Sequence, residues 1–384
     1  TIPGNVVKIG EEAFISCTNL TEIEIPSSVK QINHHAFKNC TKLEKLTLNE
    51  GLTKLGFECF TNTKITSVTI PSTLTDVYIN LVTNGGPFAG CELLKDVTIN
   101  ENATTIPNYL FKNCTQLEKI TIPGNVVKIG EEAFISCTNL TEIEIPSSVK
   151  QINHHAFKNC TKLEKLTLNE GLTKLGFECF TNTKITSVTI PSTLTDVYIN
   201  LVTNGGPFAG CELLKDVTIN ENATTIPNYL FKNCTQLETI DIPYFVRNIG
   251  NSAFENCSFL DEIIIHNPYC NIYNKDVTIS DNATIKGYAT STAENYALTY
   301  EREFVSLGSF TLGDVNEDGM IDSSDASMVL AEYALMQTGG EPTFTETQKI
   351  SADVNKDYSV DSSDASKILA YYADSSTGKT PSWD

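Results

Sequence analysis

The chain has 384 residues, 40% of them hydrophobic, and a formal charge of -20 with a pI near 4.7. That length holds two or three domains with a real core, while the acidic balance argues against phosphate-backbone binding and so against nucleic acid as a partner. No apolar run approaches the roughly 18 residues that a bilayer span needs, so no membrane insertion is expected, and no cationic segment followed by an apolar stretch stands at the start.

Repeats dominate the first two thirds. Residues 1–118 return letter for letter as 121–238. Within each copy the phrase IxIPxxVxxIxxxAFxxCxxLxxI recurs, anchored at Ile2, Ile25, Leu48, Ile70, Ile99 and Ile122, and a further unit starts at Ile242, which gives about eleven coils. Thr1 opens inside this phrase, whereas the same words at Thr121 follow CTQLEKI; the chain is therefore expected to be a fragment of a longer protein. A period near 23 suits one strand plus a tight return, a coil too thin to bury its apolar set except by stacking. Leu20, Ile23 and Ile25 alternate as a half-buried strand that Pro26 ends, Val29 and Ile32 point inward on the return, Ala36, Phe37 and Cys40 close the turn, and Leu43 begins the next strand. The cysteines at 17, 40, 91 and 114, and their copies at 137, 160, 211 and 234, share a slot with Phe and Leu, which predicts buried thiols rather than disulfides. The fourth coil is six residues longer, within DVYINLVTNGGPFAG. Val77 and Phe88 are expected to keep core slots while Tyr78 to Pro87, and Tyr198 to Pro207, bulge outward around a Gly85-Gly86 tip.

The IPxxVxxIGxxAFxxC wording resembles the BspA-like leucine-rich repeats of bacterial surface and secreted proteins over about residues 1–265. The resemblance implies a β-rich, right-handed solenoid. Residues 266–307 resemble the closing unit of such arrays, which covers the apolar edge of the last coil. No GxSxG, HExxH or Gly-rich phosphate loop is present, and the cysteines sit in core slots away from any activating His, so no catalytic residue is assigned. The pairs His34-His35 and His154-His155 lack a spaced third ligand and read as exposed turn residues. Glu22, Glu24, Lys45, Thr47, Ser67, Thr69, Asp96, Thr98, Lys119 and Thr121 form a polar strand face of mixed sign, almost free of aromatics. A protein or glycan ligand of that face stays open beside a merely solvated sheet.

From Gly308 the wording changes. DVNEDGMIDSSD places Asp314, Asn316, Asp318, Asp322 and Asp325 at loop positions one, three, five, nine and twelve, with Gly319 at six and the Met320 carbonyl at seven. Thirty-nine residues on, DVNKDYSVDSSD offers Asp353, Asn355, Asp357, Asp361 and Asp364, with Ser359 at seven. Such oxygen cages suit calcium, so two ions are expected. The departure is Tyr358 at position six, where a side chain has to bear positive φ, an expected source of a weaker second site. Each loop precedes a good helix, with Ala326, Val329, Leu330 and Tyr333 on one apolar face and Ala365, Ile368, Leu369 and Tyr372 on the other, but EFVSLGSFTLG before the first loop is a poor helix. The units are loop then helix, without the entering helix of a calcium sensor. Between them PTFTETQKISA reads as a short helix capped by Thr345 with Gln348 three on, and Trp383 is expected to fold back on SFTLG.

Paired loop-helix units with Asp at position twelve resemble the type I dockerins over about 312–384, a small all-α calcium-binding domain within 308–384. That resemblance implies a cohesin module of a scaffoldin as partner, met by Ser323 and Ser324 of the first unit and Ser362 and Ser363 of the second, with the outward helix residues Met328 and Ala331, and Lys367 and Ala370. The two units differ at Met328 against Lys367 and at Glu332 against Tyr371, which favours one binding orientation. Residues 308–384 carry fourteen carboxylates against four lysines, so chelation is expected to unfold this module and spare the repeats. The combined reading is a secreted, extracellular, non-catalytic cellulosome component whose repeats bind or present. Two alternatives are the C-terminal part of a cellulosomal peptidase or glycoside hydrolase, and an array acting as spacer.

Overall fold

The computed structural model describes residues 1–78, 85–198 and 205–383. The chain divides into two compact units, one of Thr1–Ile240, Asn248–Glu262 and Ile272–Ala283, the other of Asp241–Arg247, Ile263–Asn271 and Thr284–Asp384.

In the first unit the expected alternation becomes strands: Glu22–Ile25 and Lys45–Leu48 each expose their first and third residues and bury the other two. They pair in parallel with Ile23 opposite Leu46 and Ile25 opposite Leu48, so equal slots of successive coils face each other. A two-residue strand on the return path does the same, with Ile9 opposite Ile32 and Ile32 opposite Leu55. Along the chain the described residues form eleven four-residue and twelve two-residue strands, a solenoid of about 12 turns. The period runs on through Glu262–Ile265, where His266 stands in place of the proline or asparagine that follows the earlier anchors and hides the phrase.

Stacking supplies the core. Phe14, Phe37, Phe60, Phe88, Phe111 and Phe134 begin a column of rings with successive centroids 5.0 to 6.0 Å apart, which continues through Phe157 to Phe254. Each offset stack adds about 0.5–1.5 kcal/mol beyond area burial. Beside it the thiols form a second column: Cys40 Sγ donates to Phe14 O at 3.1 Å, Cys91 to Phe60 O at 3.1 Å and Cys137 to Phe111 O at 3.2 Å. Burial pushes the Cys91 and Cys160 thiols up to about 12, so they stay protonated and serve as small apolar fillers. The duplication provides its own control. Phe134 and Cys137 are fully buried between coils, whereas Phe14 and Cys17, with the same local sequence, are half-buried and exposed. Burial here belongs to the neighbour, not to the phrase.

Two expectations for this unit are corrected. Val77 and Phe88 do keep core slots, but Gly85 and Gly86 are buried rather than a loop tip. Glu58 N donates to Gly86 O at 3.0 Å, and a Cβ on Gly86 would run into the Tyr109 carbonyl, so these glycines allow close backbone approach between coils. The rest of the proposed bulges, residues 79–84 and 199–204, lies outside the described residues. The histidine pairs are half-buried rather than exposed: His34 stacks on Phe57 with centroids 4.0 Å apart and accepts at Nδ1 from Phe57 N, while His35 Nε2 lies 3.4 Å from Glu58. Flat rings are better packed on the next coil than left in water.

The second unit pairs strand Thr284–Gly287 in parallel with Phe304–Ser306, joined by α1 (Thr292–Thr299). There follow α2 (Ser323–Gln337), α3 (Glu346–Ala352) and α4 (Ser362–Ser376). Asp322, Thr345 and Asp361 each form a reciprocal capping box with the residue three on, which satisfies two orphan N-terminal donors per helix. Between α2 and α4 lies a core of Val315, Ala326, Val329, Ala352, Val354, Ala365 and Ile368. The apolar faces read from sequence need correction here. Ala326, Val329, Ala365 and Ile368 are inward, but Leu330, Leu369 and Tyr372 are exposed, because Asp325, Glu332 and Asp364 occupy the remaining inward positions. Trp383 packs on this core beside Gly313, stacked on Tyr371 with centroids 4.2 Å apart.

Candidate metal centre and docking face

Both loops are drawn closed by their own acidic side chains. In the first, Asp314 accepts from Asp318 N at 3.1 Å and Gly319 N at 3.0 Å. Asp325, fully buried, accepts at Oδ1 from Val315 N at 2.7 Å and Asn316 N at 3.1 Å and at Oδ2 from Asp322 N at 2.9 Å. The second loop repeats the pattern, with Asp353 accepting from Asp357 N and Tyr358 N, and Asp364 from Asn355 N and Asp361 N. Asp318 and Asp357 accept from the position-seven amides of Met320 and Ser359 at 2.9 and 2.8 Å. Asn316 and Asn355 reach the position-five carboxylate and the position-eleven serine. Asp322 and Asp361 turn to the helix instead, and the Ser324 and Ser363 amides they accept from hold both carboxyls below the usual range. The Met320 side chain is exposed, which leaves only its carbonyl for the loop. Gly319 has φ of 84° and Tyr358 of 71°, so the tyrosine does bear the left-handed conformation.

Among the described residues, the trio of carboxylates whose oxygens lie within 4.8 Å of one another is Asp353, Asp357 and Asp364. Burial pushes Asp364 up to about 6 and raises Asp353 as well. Two buried acids side by side, bridged to no lysine or arginine among the described residues, fit a hard, oxygen-seeking cation.

The serine pairs Ser323-Ser324 and Ser362-Ser363 are exposed at the starts of α2 and α4, as are Ala331, Lys367 and Ala370 farther along. Met328 is only partly exposed and packs on the core. Lys367 Nζ donates to Trp383 O at 2.8 Å. Sequence reasoning missed Leu330 and Leu369, each over two-fifths exposed at matching places on the two helices; the signal was an apolar residue one position away from the buried stripe. It also missed Tyr244, whose hydroxyl donates to Asp353 Oδ2 at 3.0 Å. Its signal was an aromatic pair, Tyr244-Phe245, where an equivalent coil has Gly124-Asn125.

On the array, the exposed strand residues line up across coils. A shallow groove lined by Lys119, Thr121, Glu142, Glu144, Lys165 and Thr167 lies where residues 119–122 form no strand, although 239–242 do. Lys119 and Glu142 form an ion pair at 2.7 Å across it.

Comparison with known proteins follows this division. The family described as BspA type leucine rich repeat region matches over residues 1–86, 83–205 and 200–286, and the type I dockerin domain over 312–371. A leucine-rich repeat protein from Bacteroides ovatus is 25% identical with a TM-score of 0.52, the match covering 79% of this chain and 88% of that one. A leucine rich cell surface protein from Faecalibacterium prausnitzii is 22% identical over 76% of this chain and 85% of that one, with a TM-score of 0.37. No curated protein matches the chain.

Proposed function

The chain belongs to the BspA-type leucine-rich-repeat family and carries a type I dockerin domain, and from that premise we propose that it is a secreted, non-catalytic component of a cellulosome-type complex. Its dockerin binds a cohesin module of a scaffoldin in a calcium-dependent way, while the array's strand face binds a protein or surface partner. The observation that carries this reading is the pairing of two acid-closed loops with exposed serine pairs at matching helix starts. Calcium, when bound, supplies the positive charge that the loop carboxylates need to sit together. Asp314, Asn316, Asp318, the Met320 carbonyl, Asp322 and Asp325 would hold one ion, and Asp353, Asn355, Asp357, the Ser359 carbonyl, Asp361 and Asp364 the other. With the loops closed, the small side chains Ala331 and Ala370 let a partner approach the helix backbones.

Calorimetric titration against a panel of cohesins, with calcium and then with chelator, tests the reading. One cohesin should bind in calcium, chelation should abolish the heat, and Ala331→Arg together with Ala370→Arg should weaken binding at least 100-fold with the fold intact. Binding that survives chelation, or that ignores both arginines, refutes the assignment.

A further inference from the structure

The two loops differ in what surrounds them. Where Gly319 stands in the first, an added Cβ would meet nothing within 4 Å. Tyr358, at the same place in the second, holds a left-handed conformation that costs on the order of 1–3 kcal/mol for a non-glycine residue. Inside the loop its amide donates to Asp353 Oδ2 at 2.9 Å, as the Gly319 amide does to Asp314. Its side chain instead engages two stretches outside the loop, 241–247 and 263–271, which share the second compact unit with it. The Arg247 guanidinium lies 4.2 Å from the ring centroid, the Tyr244 ring 5.9 Å away, and Asn267 Nδ2 reaches the hydroxyl at 3.4 Å. Asn267 also donates to Val246 O at 2.8 Å, so it is itself held in place. Two positions earlier, Lys356 Nζ lies 4.6 Å over the Tyr269 ring.

A second contact reaches a ligand position. Asp353 Oδ2 accepts from Tyr358 N at 2.9 Å and from the Tyr244 hydroxyl at 3.0 Å, while Oδ1 accepts from Asp357 N at 3.0 Å. Asp314, its counterpart, accepts from two amides of its own loop. Tyr244 is buried in a cluster with Tyr288 and Ile350, against which Phe245, Phe310 and Tyr358 pack. A phenol fixed in such a cluster aims its proton at one carboxylate oxygen and thereby sets the direction of the other. Outer partners of this kind are worth about 10- to 100-fold in metal affinity.

We propose that the second loop is completed from outside its own twelve residues. Tyr244 is a positioning residue for the ligand Asp353, and Tyr358 is the ring by which the loop grips 241–247 and 263–271, so filling the loop and ordering those stretches form one linked equilibrium. Linkage is reciprocal: whatever factor the packed stretches add to calcium affinity, the bound ion adds to their packing. The departure from glycine at position six then has a role, since glycine would relax the backbone and lose the grip.

This inference rests on the calcium reading of the loops. Its test is calcium calorimetry on the metal-free full chain together with hydrogen exchange followed by mass spectrometry. In the native chain, calcium should slow exchange across 241–247 and 263–271 as well as in both loops. Tyr244→Phe should weaken one of the two sites about tenfold or more and leave the other unchanged. Tyr358→Gly should leave both sites binding while the slowing at 241–247 and 263–271 disappears. Two filled sites with no change of exchange in those stretches, or a Tyr244→Phe chain with both affinities native, overturns the inference alone. Absence of any calcium heat in the native chain overturns the calcium reading and this inference with it.

Discussion

Glu332 offers a test of how the dockerin is held together apart from its two acid-rich loops. The side chain is buried, and its carboxylate accepts from Thr343 N at 2.8 Å, Phe344 N at 3.2 Å and the Thr343 hydroxyl, which ties the connector after α2 back onto that helix. Glu332→Ala leaves two backbone amides without their acceptor at about 1–3 kcal/mol each, while the hydroxyl can turn to water, for a total of about 2–6 kcal/mol. A module of this size has about 4–11 kcal/mol in all, so the loss is a large share. Glu332→Gln keeps a carbonyl oxygen toward both amides and should cost about 1 kcal/mol. Trp383, the chain's one tryptophan, is stacked on Tyr371 in this same module, so its fluorescence during urea unfolding in saturating calcium reads the module without the repeats. With an m-value near 1 kcal/mol/M, the alanine variant should lose about 2 M or more in midpoint and the glutamine variant about 1 M. Those hydrogen bonds hold the Glu332 carboxyl below the usual range. Its contribution is therefore complete above the ordinary glutamate pKa and fades as pH falls through the lowered folded value. The glutamine variant should lack that part of the acid dependence. An alanine midpoint within about 0.5 M of native refutes the reasoning, as does a glutamine variant as damaged as the alanine one.

The duplicated coils and the one raised histidine give two more expectations. Phe134→Ala, between stacked rings 5.4 and 5.1 Å away, should cost about 3–5 kcal/mol and lower the midpoint of the β-sheet circular dichroism signal; Phe14→Ala, at the same place in the phrase with the single stacked neighbour Phe37, should cost less than half of that, and equal costs would refute burial by stacking. The His266 imidazole, 2.8 Å from Asp241, is raised chiefly by that hydrogen bond. Its stabilisation is whole below about 6.5 and is lost as pH rises through the folded value. Imidazole shifts followed by NMR should show His266 titrating above the free value, and Asp241→Asn should lower it; an unmoved titration would refute the assignment.

Much of this was legible because repetition writes structure plainly. A proline after most anchors, and an asparagine after others, marks where a strand ends, and a cysteine or phenylalanine at a fixed offset marks what stacks. Where a sign changed, the signal failed: His266 in place of proline or asparagine hid a coil, and Gly85-Gly86 read as a turn because a close backbone approach from the next coil leaves no mark of its own in the sequence. The hydrogen bonds with which Asp314 and Asp325 close the first loop lie within its own twelve residues, so a local pattern carries that closure. The orientation of α2 could not. Acidic residues 325 and 332 are inward for hydrogen-bonding reasons that hydropathy does not register, which displaced Leu330 into solvent. Tyr244 lies 109 residues from the aspartate it contacts, beyond any local pattern.

On the proposed cohesin reading, two nearly identical halves would permit a partner to bind in either of two orientations, so their differences bear on which orientation is used. The loops themselves do not discriminate, because Ser323-Ser324 and Ser362-Ser363 are exposed alike. The helices do. On α4, Lys367 is tied to the Trp383 carbonyl and Tyr371 lies under the Trp383 ring, so a cohesin approaching that half would meet the chain's own tail. On α2 the equivalent positions are Met328, packed on the core, and Glu332, turned inward to the connector, which leaves Ala331 and Leu330 standing free beside the serine pair. Desolvating an alanine and a leucine costs nothing in broken bonds, whereas a cohesin on α4 would have to keep or displace a lysine hydrogen bond and an aromatic stack. On the proposed reading, α2 is therefore the half that a cohesin engages first, and removing Trp383 should make the two orientations more nearly equal.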